Sequence, residues 1–191
     1  MAAAAAGGEL TMREQTIHLT GHRPTGLGGY DKDSEENRWL LETADSLFRA
    51  FKVLGYTRLV SGMALGWDQW GLEIGTLFGF YTIAAVPCAE QERTWPDESQ
   101  QKYHELLGQC SEIEYISKEL YKPWLMQHRN EWMVDHAGLT FAAYNGGKGG
   151  TFNCLKYARE EGNLIYIINS KLRVVKMVIG DEMVMLPQIS R

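Results

Sequence analysis

The strongest chemical indication in the sequence is a glycine-rich segment, Asn145-Gly146-Gly147-Lys148-Gly149-Gly150-Thr151. An apolar run at residues 139–143 precedes it, and a helical pattern at residues 152–161 follows it. A strand that ends in glycines and continues as a helix leaves backbone N–H groups free. Together with the helix dipole, these groups favour an anion, most often a phosphate. The segment is not a Walker A motif, because the order Gly-x-x-x-x-Gly-Lys-Ser/Thr is absent.

Two other segments place glycine and polar residues directly after an apolar run. The segment after residues 57–60 is Ser61-Gly62-Met63-Ala64-Leu65-Gly66-Trp67-Asp68. The segment after residues 16–20 is Gly21-His22-Arg23-Pro24. In open α/β sheets, ligands bind beyond the carboxyl ends of the strands. Three such junctions in one chain therefore predict a single ligand-binding edge.

Composition bounds the class of protein. With 191 residues, 45% hydrophobic and 23% charged, the chain is expected to form one globular domain. A net charge of −5 disfavours sequence-independent binding to nucleic acid, which needs a basic surface. The three cysteines are widely separated and form neither a metal pair nor a disulfide framework, which predicts a cytoplasmic protein. No run of about 18 apolar residues is present, so no membrane span is expected.

Apolar runs alternate with helical patterns along the chain. The predicted strands lie at residues 16–20, 57–60, 81–86, 113–116, 139–143 and 164–168. The predicted helices lie at residues 33–54, 68–78, 96–110, 124–137 and 152–161. This pattern predicts an α/β fold with a Rossmann-like, doubly wound, mostly parallel sheet and helices on both faces. Two short apolar runs around Gly180 predict a C-terminal β-hairpin that covers a sheet edge or contacts a second copy.

The domain boundaries follow from the same pattern. Residues 1–14 are interpreted as a disordered leader or a cloning remnant, because the first ten are rich in alanine and glycine and lack a basic region. Residues 15–170 form the predicted nucleotide-binding domain. Residues 171–191 form the hairpin tail of that domain.

The turn at residues 60–68 resembles the Ser-Gly-x-Ala-x-Gly-x-Asp turn of the DprA (Smf) DNA-processing proteins. Those proteins commonly carry arginine where this chain has Leu65, which disfavours DNA binding here. Met126, Arg129 and Met133, with the glycine loop, are similar to the signature of the LOG family of phosphoribohydrolases. That resemblance implies a phosphate-binding role for Arg129. It also aligns the family's catalytic glutamate with Cys154, and a thiol of ordinary pKa is not a carboxylate base.

A third resemblance spans nearly all of the predicted domain, from residue 16 to residue 169. Thr20-Gly21-His22-Arg23-Pro24, the Ser61-Gly62 turn, and Pro87 … Glu90-Gln91-Glu92 … Trp95 resemble the YpsA family. YpsA, DprA and LOG proteins all belong to the SLOG superfamily, whose known members bind nucleotides or nucleotide-derived signals. The resemblance implies a Rossmann-like fold with a nucleotide pocket.

Three kinds of candidate residue allow two interpretations each. Asp68 is either a first-turn helix residue favoured by the dipole or a carboxylate that faces a ribose hydroxyl. Trp67 is either a core anchor or a platform on which a base stacks. Glu90 and Glu92 either bind ribose hydroxyls or are solvated loop acids.

The basic candidates are equally open. His22 and Arg23 either contact a ligand or lie in a solvated loop, and Lys148 is a candidate phosphate contact. Arg129 either clamps a phosphate or forms a surface ion pair with Asp135 or Glu131. The other histidines, His104, His128 and His136, show no metal-ligand spacing with carboxylates, so no metal site is predicted.

The leading hypothesis is a sensor, carrier or sequestering protein for a nucleotide or a nucleotide-derived small molecule. No cofactor is assigned firmly, and an ADP-ribose-like ligand fits the pattern. The first alternative is a LOG-like phosphoribohydrolase or N-glycosidase, with Asp68, Glu90 or Glu92 replacing the missing glutamate and Arg129 assisting. The second alternative is a DprA-like binder of single-stranded DNA. A homodimer is also expected, because the tail hairpin is apolar and the helix at 124–137 carries Trp124 and Trp132.

Overall fold

Strands and helices alternate through residues 10–187, the part of the chain that the computed structural model describes. The strands are β1 (Thr16–Gly21), β2 (Arg58–Ser61), β3 (Tyr81–Val86), β4 (Glu112–Tyr115), β5 (Leu139–Ala143), β6 (Leu164–Asn169), β7 (Val174–Ile179) and β8 (Glu182–Leu186). The helices are α1 (Glu35–Val53), α2 (Trp67–Leu77), α3 (Asp97–Gln109), α4 (Pro123–Asp135) and α5 (Gly150–Glu160). The predicted elements are all present, with ends that shift by at most two residues.

The strands form one sheet in the order β4-β3-β2-β1-β5-β6-β7-β8. Strands β4 through β6 are parallel, and β7 and β8 continue the sheet in antiparallel fashion. The chain builds outward from β1 to β4 and then returns to place β5 on the other side of β1. The order of the strands therefore reverses between β1 and β5, and this is the topological switch point at which α/β sheets bind ligands.

Helices cover both faces of the sheet, as predicted. On β5, Phe141 packs into the core that α1, α2 and α3 cover. The next residue, Ala142, packs into a second core with Val134 of α4 and Cys154 of α5. Successive side chains of a strand point to opposite faces, so the buried residues of β5 serve two helical layers. The doubly wound fold is confirmed.

The C-terminal hairpin is also confirmed. Gly180 has a φ of 57° in the two-residue loop between β7 and β8, a backbone conformation that glycine adopts without strain. The hairpin pairs with β6 and so covers that edge of the parallel sheet. Arg159 of α5 donates a hydrogen bond to the Gly180 carbonyl at 2.9 Å and holds the loop against the helix.

Part of the predicted leader belongs to the folded domain. Residues 1–9 of the leader, like residues 188–191 of the predicted tail, lie outside the described residues. Arg13, however, donates hydrogen bonds to Asn163 Oδ1 at 2.8 Å and to the Asp135 carbonyl at 3.1 Å. Its own carbonyl accepts from the Gly138 N–H at 2.7 Å. These contacts close the amino-terminal end of the sheet. Within residues 10–187, no helix has the length and apolarity needed to cross a bilayer.

A buried histidine lies in the middle of the sheet, on the face covered by α4 and α5. His18 is fully buried, and its Nε2 lies 2.8 Å from Thr140 Oγ1. Its Nδ1 has no hydrogen-bond partner among the described residues. Burial lowers the pKa of His18 to about 3, so the ring is neutral in the folded protein.

We expect His18 to make folding sensitive to acid. The unfolded chain binds a proton near pH 6.5 and the folded chain does not, so stability falls as the pH drops from 6.5 towards 3. Between pH 7.5 and pH 5 the His18 contribution amounts to about 2 kcal/mol of unfolding free energy. Urea unfolding at the two pH values should show this loss in the wild type and lack it in His18→Gln. His104→Gln, at an exposed histidine, serves as the control and should retain it. Equal pH dependence in wild type and His18→Gln would contradict this role.

Candidate functional site

The first predicted loop and the glycine loop begin side by side at the switch point. Gly21 at the end of β1 pairs with Ala143 at the end of β5. The His22 N–H then donates to the Ala143 carbonyl at 3.0 Å. The sheet therefore brings together two segments that lie more than a hundred residues apart in the sequence.

The glycine loop has a backbone that only glycine adopts readily. Gly146, Gly147 and Gly149 have φ values of 102°, 93° and 148°. An added Cβ at any of them would meet no atom within 4 Å, so the glycines serve the backbone conformation and leave open space above it. Helix α5 begins at Gly150 without a side-chain cap, and Thr151 lies in its first turn. Its first N–H groups are therefore available to an anion.

Two aromatic side chains hold the loop from its inner side. The Tyr144 hydroxyl donates to the Gly147 carbonyl. The His22 ring lies 5.1 Å from the Tyr144 ring and interacts with the Gly146 backbone. Burial lowers the pKa of His22, while the contact with Gly146 opposes that effect. Because the Tyr144 hydroxyl bonds a carbonyl of the loop, this contact leaves the loop N–H groups to a ligand.

Asn145 fixes the start of the loop. Its Nδ2 donates to the Gly26 carbonyl at 3.0 Å and to Ser170 Oγ at 2.9 Å. The Lys171 N–H donates to Asn145 Oδ1 at 3.3 Å. Sequence reasoning did not assign a role to Tyr144, Asn145 or Ser170. The position of Tyr144 and Asn145 directly before the glycines is the only signal in the sequence that could have indicated a role.

Trp67 is a core anchor, and its interpretation as a stacking platform is wrong. The side chain is fully buried, and its Nε1 donates to the Phe141 carbonyl at 3.1 Å. Its backbone N–H donates to the His22 carbonyl at 3.3 Å. A Cβ at Gly21 would lie 2.6 Å from Trp67 Cβ, so glycine at this position admits the indole.

The remaining residues of the β2 turn form a rigid support. Gly66 has a φ of 92°, and an added Cβ would lie 2.6 Å from the His22 carbonyl oxygen. Met63 is fully buried with a φ of 59°, so its side chain faces the core and not a ligand. Ser61 Oγ donates to the Asp68 carbonyl at 2.7 Å and accepts from the Met63 N–H at 3.1 Å.

Arg129 is buried beneath this turn. It is 5% exposed, its Nη1 donates to the Gly62 carbonyl, and its Nε donates to Asn130 Oδ1 at 3.0 Å. A Cβ at Gly62 would lie 1.8 Å from Arg129 Nη1, so glycine is required for the guanidinium to pack there. Burial lowers the pKa of Arg129. The surface ion pair predicted for Arg129 with Asp135 or Glu131 is wrong, because the guanidinium faces the turn.

Asp68 lies in the first turn of α2 as the counter-charge of this arginine. Burial raises the pKa of its carboxyl, while Arg129, Arg23 and the backbone N–H groups of Ala64 and Gly21 oppose that effect. The residue is 3% exposed and so offers little surface to a ribose. Its electrostatic interaction with Arg129 favours the ionised form of both groups.

The predicted acids after β3, Glu90 and Glu92, contact basic residues of their own region. Glu90 is exposed and lies 3.6 Å from Arg93. Glu92 lies 3.2 Å from His104. In the same loop, the centre of the Trp95 ring lies 5.8 Å from the Arg23 guanidinium. The loop after β3 therefore contacts the loop after β1 across the end of β2.

Cys154 has the character expected from the sequence. The thiol is fully buried on α5, and burial raises its pKa to about 12. It is therefore neutral at physiological pH and supplies no base.

No cluster of three or more potential metal ligands occurs within residues 10–187. A groove of about 590 Å³ lies between α1 and α2, away from the carboxyl edge. It is lined in part by the acids Glu42, Asp45 and Glu73, and its Lys32 is paired with Glu73. Carboxylates repel phosphate, so the carboxyl edge is the better anion site.

Comparison with known proteins agrees with this fold. The profile of the YspA SLOG family (YpsA) matches residues 17–171. The chain belongs to this family. A similar protein is the uncharacterised SPbeta prophage-derived protein YoqJ of Bacillus subtilis, which is 32% identical over 145 residues, covering 65% of this chain and 85% of YoqJ. A UPF0398 protein of Shouchella clausii is 23% identical over 143 residues, covering 71% of this chain and 76% of that protein.

The solved structures that resemble the chain are those of DNA processing protein A (DprA). The Streptococcus pneumoniae protein has a TM-score of 0.58 and 15% identity, covering 82% of this chain and 50% of that one. The Helicobacter pylori protein, whose structure describes a mode of single-stranded DNA binding, has a TM-score of 0.55 and 15% identity. The match covers 80% of this chain and 64% of that one. The chain thus spans half to two thirds of these proteins, and the likeness establishes a shared Rossmann-type fold.

We expect Gly62→Ala to destabilise the fold. The added methyl group would overlap the Arg129 guanidinium, and displacing this buried cation should cost about 1–3 kcal/mol of unfolding free energy. Gly108→Ala is the matched control, because a Cβ there meets nothing within 4 Å inside α3 and alanine favours a helix by up to about 1 kcal/mol. Urea unfolding measures both. A Gly62→Ala protein as stable as the wild type would show that the guanidinium does not depend on this contact.

Proposed function

We propose that the chain binds a nucleotide or a nucleotide-derived small molecule at the switch point between β1 and β5, as a cytoplasmic sensor, carrier or sequestering protein. The observation that carries the proposal is the glycine loop. Three of its glycines have positive φ, its inner side is engaged by His22 and Tyr144, and the N–H groups that open α5 lack a side-chain cap. This arrangement is prepared for a phosphate before any ligand arrives.

Three exposed basic side chains lie in the loops at this edge of the sheet although the whole chain is acidic. Arg23 and Lys148 are exposed, and neither forms an ion pair with any residue of the 10–187 region. Lys171 is exposed beside Asn145. Unpaired cations next to free N–H groups favour an anionic ligand locally without creating a broad nucleic-acid surface.

A phosphoribohydrolase or N-glycosidase is the alternative that the site chemistry favours next. The raised pKa of the Asp68 carboxyl is the property that a general acid needs. Its burial and its partnership with Arg129 count against direct contact with a substrate. Binding of single-stranded DNA is the second alternative, supported by the shared fold and opposed by Leu65 and the net charge of −5.

The proposal predicts nucleotide binding that depends on the two unpaired cations. Calorimetry with AMP, ADP-ribose, NAD and cyclic ADP-ribose isomers should detect at least one ligand below millimolar concentration. Arg23→Ala and Lys148→Ala should each weaken that ligand about tenfold, because each removes one charge-assisted contact. Lys156→Ala on α5 is the matched control, because it removes the same charge from a lysine that is paired with Glu160. It should leave the affinity unchanged.

Three outcomes separate the alternatives. Absence of binding by every nucleotide at millimolar concentration would contradict the proposal. Release of free base from a nucleoside monophosphate, followed by chromatography, would favour the hydrolase. Loss of this release in Asp68→Asn would identify Asp68 as the general acid. A gel shift of single-stranded DNA that disappears at high salt would favour the DNA binder.

We also propose that the chain forms a homodimer through β8. The opposite sheet edge, β4, carries Glu112 and Glu114, and such charges discourage strand pairing. By contrast, Met183, Val184 and Met185 form an exposed, uncharged stretch on β8. The two-residue hairpin loop directs the N–H and C=O groups of Met183 and Met185 to the open edge.

The geometry of β8 predicts the register of such a dimer. An antiparallel pair centred on Val184 places Met183 opposite Met185 of the second copy, so all four outward groups of each strand find partners. Val184→Cys should then form a disulfide with itself under mild oxidation, because residues opposite each other have Cβ atoms about 4.5–5.5 Å apart. Met183→Cys is the matched control and should not. A monomeric mass of 21.6 kDa by light scattering at micromolar concentration would contradict the dimer.

A further inference from the structure

An acidic side chain outside the predicted site is fixed in position beside the glycine loop. Glu36, in the first turn of α1, accepts hydrogen bonds through Oε1 from Ser170 Oγ at 2.6 Å and from Asn145 Nδ2 at 3.2 Å. Ser170 is 2% exposed, so its hydroxyl is held in one place. The carboxylate of Glu36 is half-buried, and no donor within residues 10–187 forms a hydrogen bond with Oε2.

This position places the carboxylate at the start of the phosphate loop. Asn145 directly precedes Gly146 and also contacts Gly26 in the first loop. Glu36 is therefore connected to both loops that flank the switch point. The acids that the sequence indicated are less suited, because Asp68 is 3% exposed beside Arg129 and Glu90 extends from a loop two strands away, next to Arg93.

The chemistry of a fixed carboxylate restricts what it binds. It repels phosphate, so it does not extend the anion site. An ionised carboxylate only accepts hydrogen bonds, and a free, oriented oxygen suits a hydroxyl donor. In a 5′-nucleotide the ribose hydroxyls lie on the ring that carries the phosphate, which is the arrangement that a hydroxyl acceptor beside a phosphate loop requires.

We propose that Glu36 accepts hydrogen bonds from the ribose hydroxyls of the bound nucleotide, and that the site is therefore selective for ribonucleotides over deoxyribonucleotides. This inference rests on the proposed function and narrows its ligand class. The Ser170 and Asn145 contacts orient the carboxylate in advance, so the protein loses little side-chain freedom when the hydroxyls bind.

The test compares AMP with 2′,3′-dideoxy-AMP by calorimetry on the full chain. The wild type should bind AMP at least tenfold more tightly than the dideoxy analogue. Glu36→Gln should weaken AMP to the level of the analogue and leave the analogue unchanged. Glu35→Gln is the matched control, since the adjacent glutamate faces Arg173, and it should behave as wild type. Thermal unfolding verifies that each variant is folded.

The outcomes distinguish this inference from the proposed function. Equal affinity of the wild type for AMP and the analogue would overturn the role of Glu36 while the proposed function stands. An equal loss of both ligands in Glu36→Gln would assign Glu36 to loop positioning and overturn hydroxyl recognition. Absence of binding by either compound would overturn this inference, and absence of binding by ADP-ribose, NAD and cyclic ADP-ribose isomers as well would overturn the proposed function.

Discussion

The buried indole of Trp67 is the constraint on which the binding edge depends. Its Nε1 donates to the Phe141 carbonyl of β5, and the Trp67 backbone N–H donates to the His22 carbonyl after β1, so the residue joins α2 to the two strands that flank the switch point. Glycine at position 21 leaves the space for this contact. Because β1 pairs with β5 and Trp67 bonds the end of β1 through its backbone and β5 through its indole, the first loop and the glycine loop leave the sheet together. Their juxtaposition creates the candidate site.

Charge is organised in two layers around this edge. The inner layer consists of buried Arg129, which bonds the Gly62 carbonyl of the β2 turn, and buried Asp68, whose charge it interacts with. The outer layer is formed by exposed Arg23 and Lys148, which form no ion pair with any residue of the 10–187 region. The inner cation is thus committed to structure, while the outer cations are available to a ligand. This division explains how an acidic chain presents an anion site.

Much of the fold and half of the site could be predicted from the sequence. Apolar runs that end in glycine specify parallel strands and their loops locally, so β1, β5 and the glycine loop were found from their own residues. The contacts of Asn145 with Gly26, Glu36 and Ser170 were not found, because they join positions that meet only when β6 and α1 pack. Arg129 was assigned to a ligand or to the surface for the same reason. Its burial depends on a glycine 67 positions earlier in the chain.

The most direct test of the account is a nuclear magnetic resonance titration of the ¹⁵N-labelled chain with AMP. The account predicts saturable shifts of the amide signals of residues 146–151 and His22, with small changes elsewhere. The groove between α1 and α2, at Trp70 and Glu73, should remain unaffected. Saturable shifts centred on that groove, or none at the glycine loop with millimolar AMP and then with ADP-ribose, NAD and cyclic ADP-ribose isomers, would contradict binding at this edge.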